Sequence, residues 1–186
     1  TGAAASRSQT LTSAALDQAN GLFGNGAAAQ GLQELDRLAE LSRKERRARV
    51  PTDDERGLHR QLFLDRADRN VRTDLAKTDD SLRELIRVDP MYAPRLAAEL
   101  QQRLDGVRSR DTGTLQISSP VAGTTLRVNG VPIGIAGSKP IAVRVMPGEI
   151  EVRAHKDDFP RDGIVSARVS AGATVAIADI APRRPG

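Results

Sequence analysis

The 186-residue chain sets 28 Lys and Arg against 24 Asp and Glu, a formal charge of +4, and residues 1–111 hold 19 basic and 18 acidic side chains. With no clustered basic face, nucleic acid is not an expected partner. Absence of Cys rules out disulfides, thiol catalysis and Cys-held metals, and three Phe, one Tyr and no Trp leave few platforms for stacking on bases or sugars.

The length suits one large or two small domains. No apolar run approaches the roughly 18–20 residues that cross a bilayer. Residues 1–26 are rich in Ala, Gly, Ser, Thr and Asn. Leu11, Ala15, Leu16, Ala19 and Leu22 have helical spacing, but Gly21, Gly24 and Gly26 interrupt it, so the segment is expected to be a flexible tether.

A helical region is expected over 27–110. Leu32, Leu35, Leu38, Ala39 and Leu41 form a stripe from Ala27 to Arg49, with Glu40/Lys44 and Glu45/Arg49 at i,i+4 outside. These leucines, with Leu58 and Leu62, are either the domain's own core or a subunit interface, so Leu32 and Leu35 stand as candidate contact residues. Pro51 stops the helix. Thr52 or Asp53 then caps a second one from about Asp54 to Val88, with Asp53, Asp54 and Glu55 suiting its positive end. Thr78-Asp79-Asp80-Ser81 is the expected place for this helix to divide, because each residue competes with the backbone. Asp89-Pro90 ends it, and Leu96, Leu100, Leu104 and Val107 mark a third stripe. The phrase Leu85–Ala93 resembles the junction between two tetratricopeptide-type repeats.

At Asp111-Thr112-Gly113 the period changes from 3.6 to 2. Strands are expected at 114–118, 124–128, 131–135, 141–145, 149–154, 164–169 and 174–180, separated by turn residues. Asn129-Gly130 is a strong hairpin signal, because a type I′ turn needs positive φ at both central residues. The predicted fold class is α+β in separate domains: an N-terminal helical bundle or hairpin, then a small antiparallel β-sandwich over 112–182 with an aliphatic core. Residues 183–186 form a tail that cannot continue a strand.

The C-terminal part, from Gly113 to about Ala181, resembles the bacterial PEGA domain. The resemblance rests on the strand Leu115–Ser118, the corner Pro120–Gly123, the strand Thr125–Val128 entering Asn129-Gly130, then Gly134, Lys139-Pro140, and Met146-Pro147-Gly148 followed by Glu149–Arg153. Two positions depart from the pattern: the Pro-Glu-Gly-Ala corner reads Pro120-Val121-Ala122-Gly123, and Asp157-Asp158-Phe159 replaces a Gly-aromatic pair. The resemblance implies a β-sandwich module of periplasmic or extracellular envelope proteins, with any membrane anchor in a segment outside this chain. It implies protein partners at the membrane, and it supplies no catalytic residue and no cofactor.

Candidate sites are few. His59 and His155 are the only histidines, and both are expected at the surface. A Ser-His-Asp triad needs convergence that nothing here signals, and no Gly-x-Ser-x-Gly elbow exists, so no enzyme is expected. His155, Asp157, Asp158 and Asp162 form the densest set of ligating groups, but their spacing fits no Ca²⁺ loop, and no metal is expected. Asp157, Asp158 and Phe159 are the one place suited to a cell-wall glycan, combining acids with an aromatic. The basic run Arg43–Arg49 is expected to be a solvated face paired with nearby acids.

Overall fold

A computed structural model describes residues 10–184 of the chain. Five helices precede seven strands in two small sheets, the expected α+β order. The chain divides into two compact units, Thr1–Ser81 and Leu82–Gly186, the division falling inside a helix rather than at the expected 110/112 junction. Among the described residues no helix is long and apolar enough to cross a membrane.

In the first unit, α1 spans Ser13–Gly24, α2 Ala28–Ala48 and α3 Asp53–Asn70, and α4 (Leu75–Val88) begins. The expected tether is thus corrected over Ser13–Gly24, while residues 1–9 lie outside the described ones. Thr12 explains the helix: its Oγ1 accepts from the Ala15 amide at 3.1 Å, and Leu16 and Ala19 are buried. The glycines are used, not merely tolerated. Gly26, at φ +77°, turns the chain into α2, and a Cβ on Gly31 would lie 2.5 Å from the Phe23 ring. That bare site lets Phe23 sit flat on α2, with the Arg69 guanidinium 4.1 Å from its centroid.

On α2 the buried face is Gly31, Leu35, Leu38, Ala39 and Ser42, close to the stripe read from sequence. Thr52 and Glu55 close a capping box at the start of α3. The second helix does divide, but at 71–74 rather than at Thr78–Ser81. Asp74 starts the new helix by accepting from the Lys77 amide at 3.0 Å. Thr78 and Ser81 satisfy themselves inside α4 by donating to the carbonyls of Asp74 and Lys77, four residues back.

The second unit holds the rest of α4, α5 (Ala98–Asp111) and the strands β1 (Gly113–Ile117), β2 (Thr125–Val128), β3 (Val131–Ile135), β4 (Ile141–Val145), β5 (Gly148–His155), β6 (Gly163–Val169) and β7 (Thr174–Ile177). The sheets run β4-β1-β7 and β3-β2-β5-β6. All neighbours are antiparallel except β1 and β7, which are parallel, so the sheets are mostly antiparallel, as expected, with one parallel seam. One aliphatic cluster joins the inner faces: Leu115 and Ile117 of β1, Val143 and Val145 of β4 and Ile177 of β7 pack with Leu126, Val128, Ile150 and Val152.

Turns fix the register. Asn129 and Gly130 take φ of 47° and 80°, the type I′ geometry their sequence demands. The hairpin tip is also tied to β5: the Asn129 amide donates to the Glu151 carbonyl, and the Glu151 amide to Asn129 Oδ1, each at 2.8 Å. Of the tail, residues 185–186 lie outside the described ones, and Arg183 is docked, its amide donating to the Arg161 carbonyl at 2.8 Å.

Candidate functional site

The loop joining β5 to β6 gathers the polar groups singled out in the sequence. It begins at His155, where β5 runs out of partners, and returns through Asp162 into β6. His155 is gripped on both ring nitrogens, with Nδ1 2.7 Å from Asp162 Oδ1 and Nε2 3.1 Å from Asp157 Oδ1. The hydrogen bond to Asp162, then that to Asp157, raises the imidazole pKa above its usual value. Reciprocally, His155 and then Arg153, whose Nη1 lies 3.1 Å from Asp162 Oδ2, hold the Asp162 carboxyl below the usual range.

Opposite this loop stands the turn after β1, where Gly123 has φ +80° and Lys156 Nζ donates to the Ala122 carbonyl at 3.0 Å. Between them lies an open cavity of about 230 Å³ lined by Gly123, Thr125, His155, Lys156, Asp157 and Asp158. That is below the roughly 300–1,000 Å³ of drug-sized sites, so it admits one small polar group. The lining mixes both charge signs. Among the described residues no group of three or more His, Asp or Glu is placed to hold a metal ion.

Asp157 and Asp158 therefore share a cavity, as the sequence grouped them, but Phe159 does not line it. It is half-buried, with the Arg184 guanidinium 5.5 Å from its ring centroid. The docked tail thus occupies the one aromatic face available to a sugar in this loop. Leu35 is fully buried and Leu32 half-buried, so Leu35 is corrected from contact candidate to core. Its side chain has no surface to offer.

His59 is the largest correction. Expected at the surface, it is 2% exposed and faces α2 from α3. Arg46 Nε donates to Ser42 Oγ at 3.1 Å, and Ser42 Oγ lies 2.6 Å from His59 Nδ1. The other ring nitrogen is Nε2. That nitrogen points at Glu45 Oε2, 3.6 Å away, while Glu45 Oε1 accepts the Leu11 amide at 2.5 Å. Burial, and then the Arg46 charge, lower the His59 pKa to about 4. The imidazole is a neutral structural link between α2, α3 and the segment before α1.

The basic run is likewise absorbed. Arg43 pairs with Glu40 and with Asp80, Arg49 with Glu55, and the Arg46 guanidinium lies 5.4 Å from the Phe63 centroid. Arg49 and Thr52 together hold Glu55 at a pKa of about 2. The sequence signal for these pairings was the alternation of charge; the signal for His59 was its spacing from Leu62, Phe63 and Arg66 on one helix face. No protein-family model matches the chain, and no curated protein matches it.

Proposed function

We propose that the chain is a non-catalytic interaction protein of the bacterial cell envelope, in which a PEGA-like β-module and a helical region serve as subunit or accessory of a membrane-associated complex. One observation supports this reading: the Pro120–Gly123 corner, the Asn129-Gly130 hairpin and Gly148, positions on which the PEGA resemblance rests, fall at the joins between consecutive strands. The module's job is then binding and spacing through its surface, in a location outside the cytoplasm. Its polar groups are spent on one another: Arg153 on Glu151 and Asp162, His155 on Asp162 and Asp157, Arg168 on Glu149.

The test is purification of the tagged native protein from solubilised envelopes of its source cell. A defined protein partner retained through detergent washes is the expected result. Recovery of the chain alone from both membrane and soluble fractions would refute the reading.

A second reading, a binder of cell-wall glycan, draws on the small cavity at Thr125 and His155–Asp158, whose carboxylates and ammonium suit hydroxyl groups. Sedimentation with purified cell wall decides it: the double substitution D157A/D158A then abolishes retention while F159A leaves most of it, because Phe159 lies outside the cavity. Equal retention of D157A/D158A and the parent chain removes this reading.

A further inference from the structure

The two sheets end in four edge strands, β4 and β7 in one and β3 and β6 in the other. Edge strands template pairing with other chains, and proteins blunt them by shortness, proline, bulges or charge. Three of the four are blunted here. β7 has only four residues. β3 carries Pro132, which has no amide hydrogen, and its register with β2 breaks at Leu126/Arg127. β4 has Arg144, whose Nη1 reaches the Arg108 carbonyl at 2.9 Å.

β6 is different. It runs seven residues, Gly163-Ile164-Val165-Ser166-Ala167-Arg168-Val169, in unbroken register with β5 and without proline or lysine. Ile164 is 48% exposed and Val165 is 37% exposed, although the Val152 opposite Val165 is fully buried. On the inner face of this strand Gly163 and Val169 are covered, and Val165 between them is not.

The direction of its backbone groups follows from the hairpin tip. Both the amide and the carbonyl of Glu151 bond to Asn129, on the side of β5 away from β6. In an antiparallel sheet the two groups of one residue point the same way and alternate along the strand. Glu151 opposite Ser166 is therefore a non-hydrogen-bonded pair, and the amide and carbonyl of Ser166 face the free edge. Those of Ile164 and Arg168, two residues either side, do the same. Among the described residues nothing pairs with them.

The geometry points to a second copy of this chain as the occupant of that edge, joined β6 to β6 antiparallel about a two-fold axis at Val165. An isologous contact demands a self-complementary patch, and this register supplies one. Val165 meets its own counterpart on the inner face, in the closely spaced non-hydrogen-bonded geometry where side chains touch. Ile164 stands opposite Ser166, exchanging amide and carbonyl bonds in both directions. An axis moved to Ser166 would instead set Ile164 against Arg168 and leave Val165 facing only Ala167. The tail pairs with Arg161 and its Ala181 carbonyl lies against Gly163, so it covers the start of β6 and leaves the edge open from Ile164 onward. This dimer does not depend on the envelope reading: it needs only the strand, and it holds whichever partner or compartment the protein serves.

The cysteine-free chain makes the test direct. In V165C, two thiols on the axis fall within the roughly 4.4–6.8 Å Cα separation that disulfides bridge, so mild oxidation yields a covalent dimer. T174C on the short edge β7 is the control for random collision. Sedimentation equilibrium of the full chain is then expected to show concentration-dependent dimerisation. S166P, which removes an edge-facing amide and no bond to β5, and V165K, which sets like charges on the axis, each weaken it by at least about tenfold. Should S166P fail to fold, V165K and the cross-linking rates still decide. The proposal is overturned if the parent chain stays monomeric and V165C links no faster than T174C. It is equally overturned by a dimer that folded S166P and V165K leave unchanged.

Discussion

The two units are held together by opposite means. In the sheet unit, fourteen buried side chains from Leu115 to Ile180 form one cluster, and every one is aliphatic. In the helical unit, leucines share the interior with charge. Arg66 is 5% exposed, and its Nε and Nη1 bond to Asp36 at 3.0 Å, Asp80 at 2.7 Å and Ser81 at 2.9 Å. Arg43 and Lys77 close the set at 2.5 Å to Asp80 and 2.6 Å to Asp36. Burial alone raises both carboxyls, but Lys77 and Arg66 outweigh it at Asp36, and Arg66 and Arg43 outweigh it at Asp80, so both lie below the usual range. Aliphatic packing tolerates volume-conserving change, whereas a buried ionic set fails when one member goes. The contrast is between a core specified by shape and one specified by pairing.

The sharpest way to break it is to remove Arg66. R66A leaves Asp36, Asp80 and Ser81 facing an empty, partly desolvated space, and the expected loss is about 3–5 kcal/mol. L126A in the sheet core costs about 2–5 kcal/mol through the cavity it leaves. The distinguishing measurement is rescue: the shape-conserving L126M recovers most of the sheet's stability in urea titrations, while R66M recovers little of the helices'. Rescue of both to the same degree would erase the comparison.

Acid should separate the units next. His59 has a folded-state pKa of about 4 against 6.5 unfolded, so between those values the unfolded chain binds a proton that the folded one refuses. Its contribution is complete above pH 6.5 and drains away as pH falls through 4, about 3 kcal/mol in all. His155 has the opposite sign. Its raised value gives stability that is present below 6.5 and lost as pH rises through the folded pKa, and its exposure keeps the effect small. Amide exchange at pH 4.5 against pH 7 should therefore loosen α3 more than β5. Equal responses would show that the His59 link carries no weight.

The smallest expected effect tests the turn. G130A forces a Cβ into φ +80° and costs about 1–2 kcal/mol. The damage is local to the sheet unit, read as faster exchange in β2 and β5 with α2 and α3 unchanged.

The legibility of the two units in sequence follows the same contrast. Every strand was readable within a few residues, because period-2 alternation and Gly/Pro/Asn punctuation are local signals that an aliphatic core leaves undisturbed. The parallel pairing of β1 with β7 was not, since pairing partners distant in the chain have no local mark. In the helical unit, composition misled. Of the glycines that argued for a tether, Gly21 and Gly24 are carried within α1 and only Gly26 serves a turn, the one that leads into α2. Thr78 and Ser81 read as breakers because their i−4 carbonyl partners are invisible to a propensity argument. Of the candidate site, Asp157 and Asp158 were legible by proximity in sequence. The burial of His59 depended on Ser42, a residue from another helix.

The parallel seam between β1 and β7 has a consequence for how the protein is made. β1 (Gly113–Ile117) leaves the ribosome early in the sheet unit, yet one of its neighbours is the last strand synthesised, Thr174–Ile177. The three-stranded sheet cannot close until β7 has been made, whereas α1 to α3 find their neighbours as they emerge. During that interval the nascent chain carries β6 with a bare rim and an unfinished sheet behind it, which makes the wait for β7 its period of greatest exposure to chaperones and to misassembly.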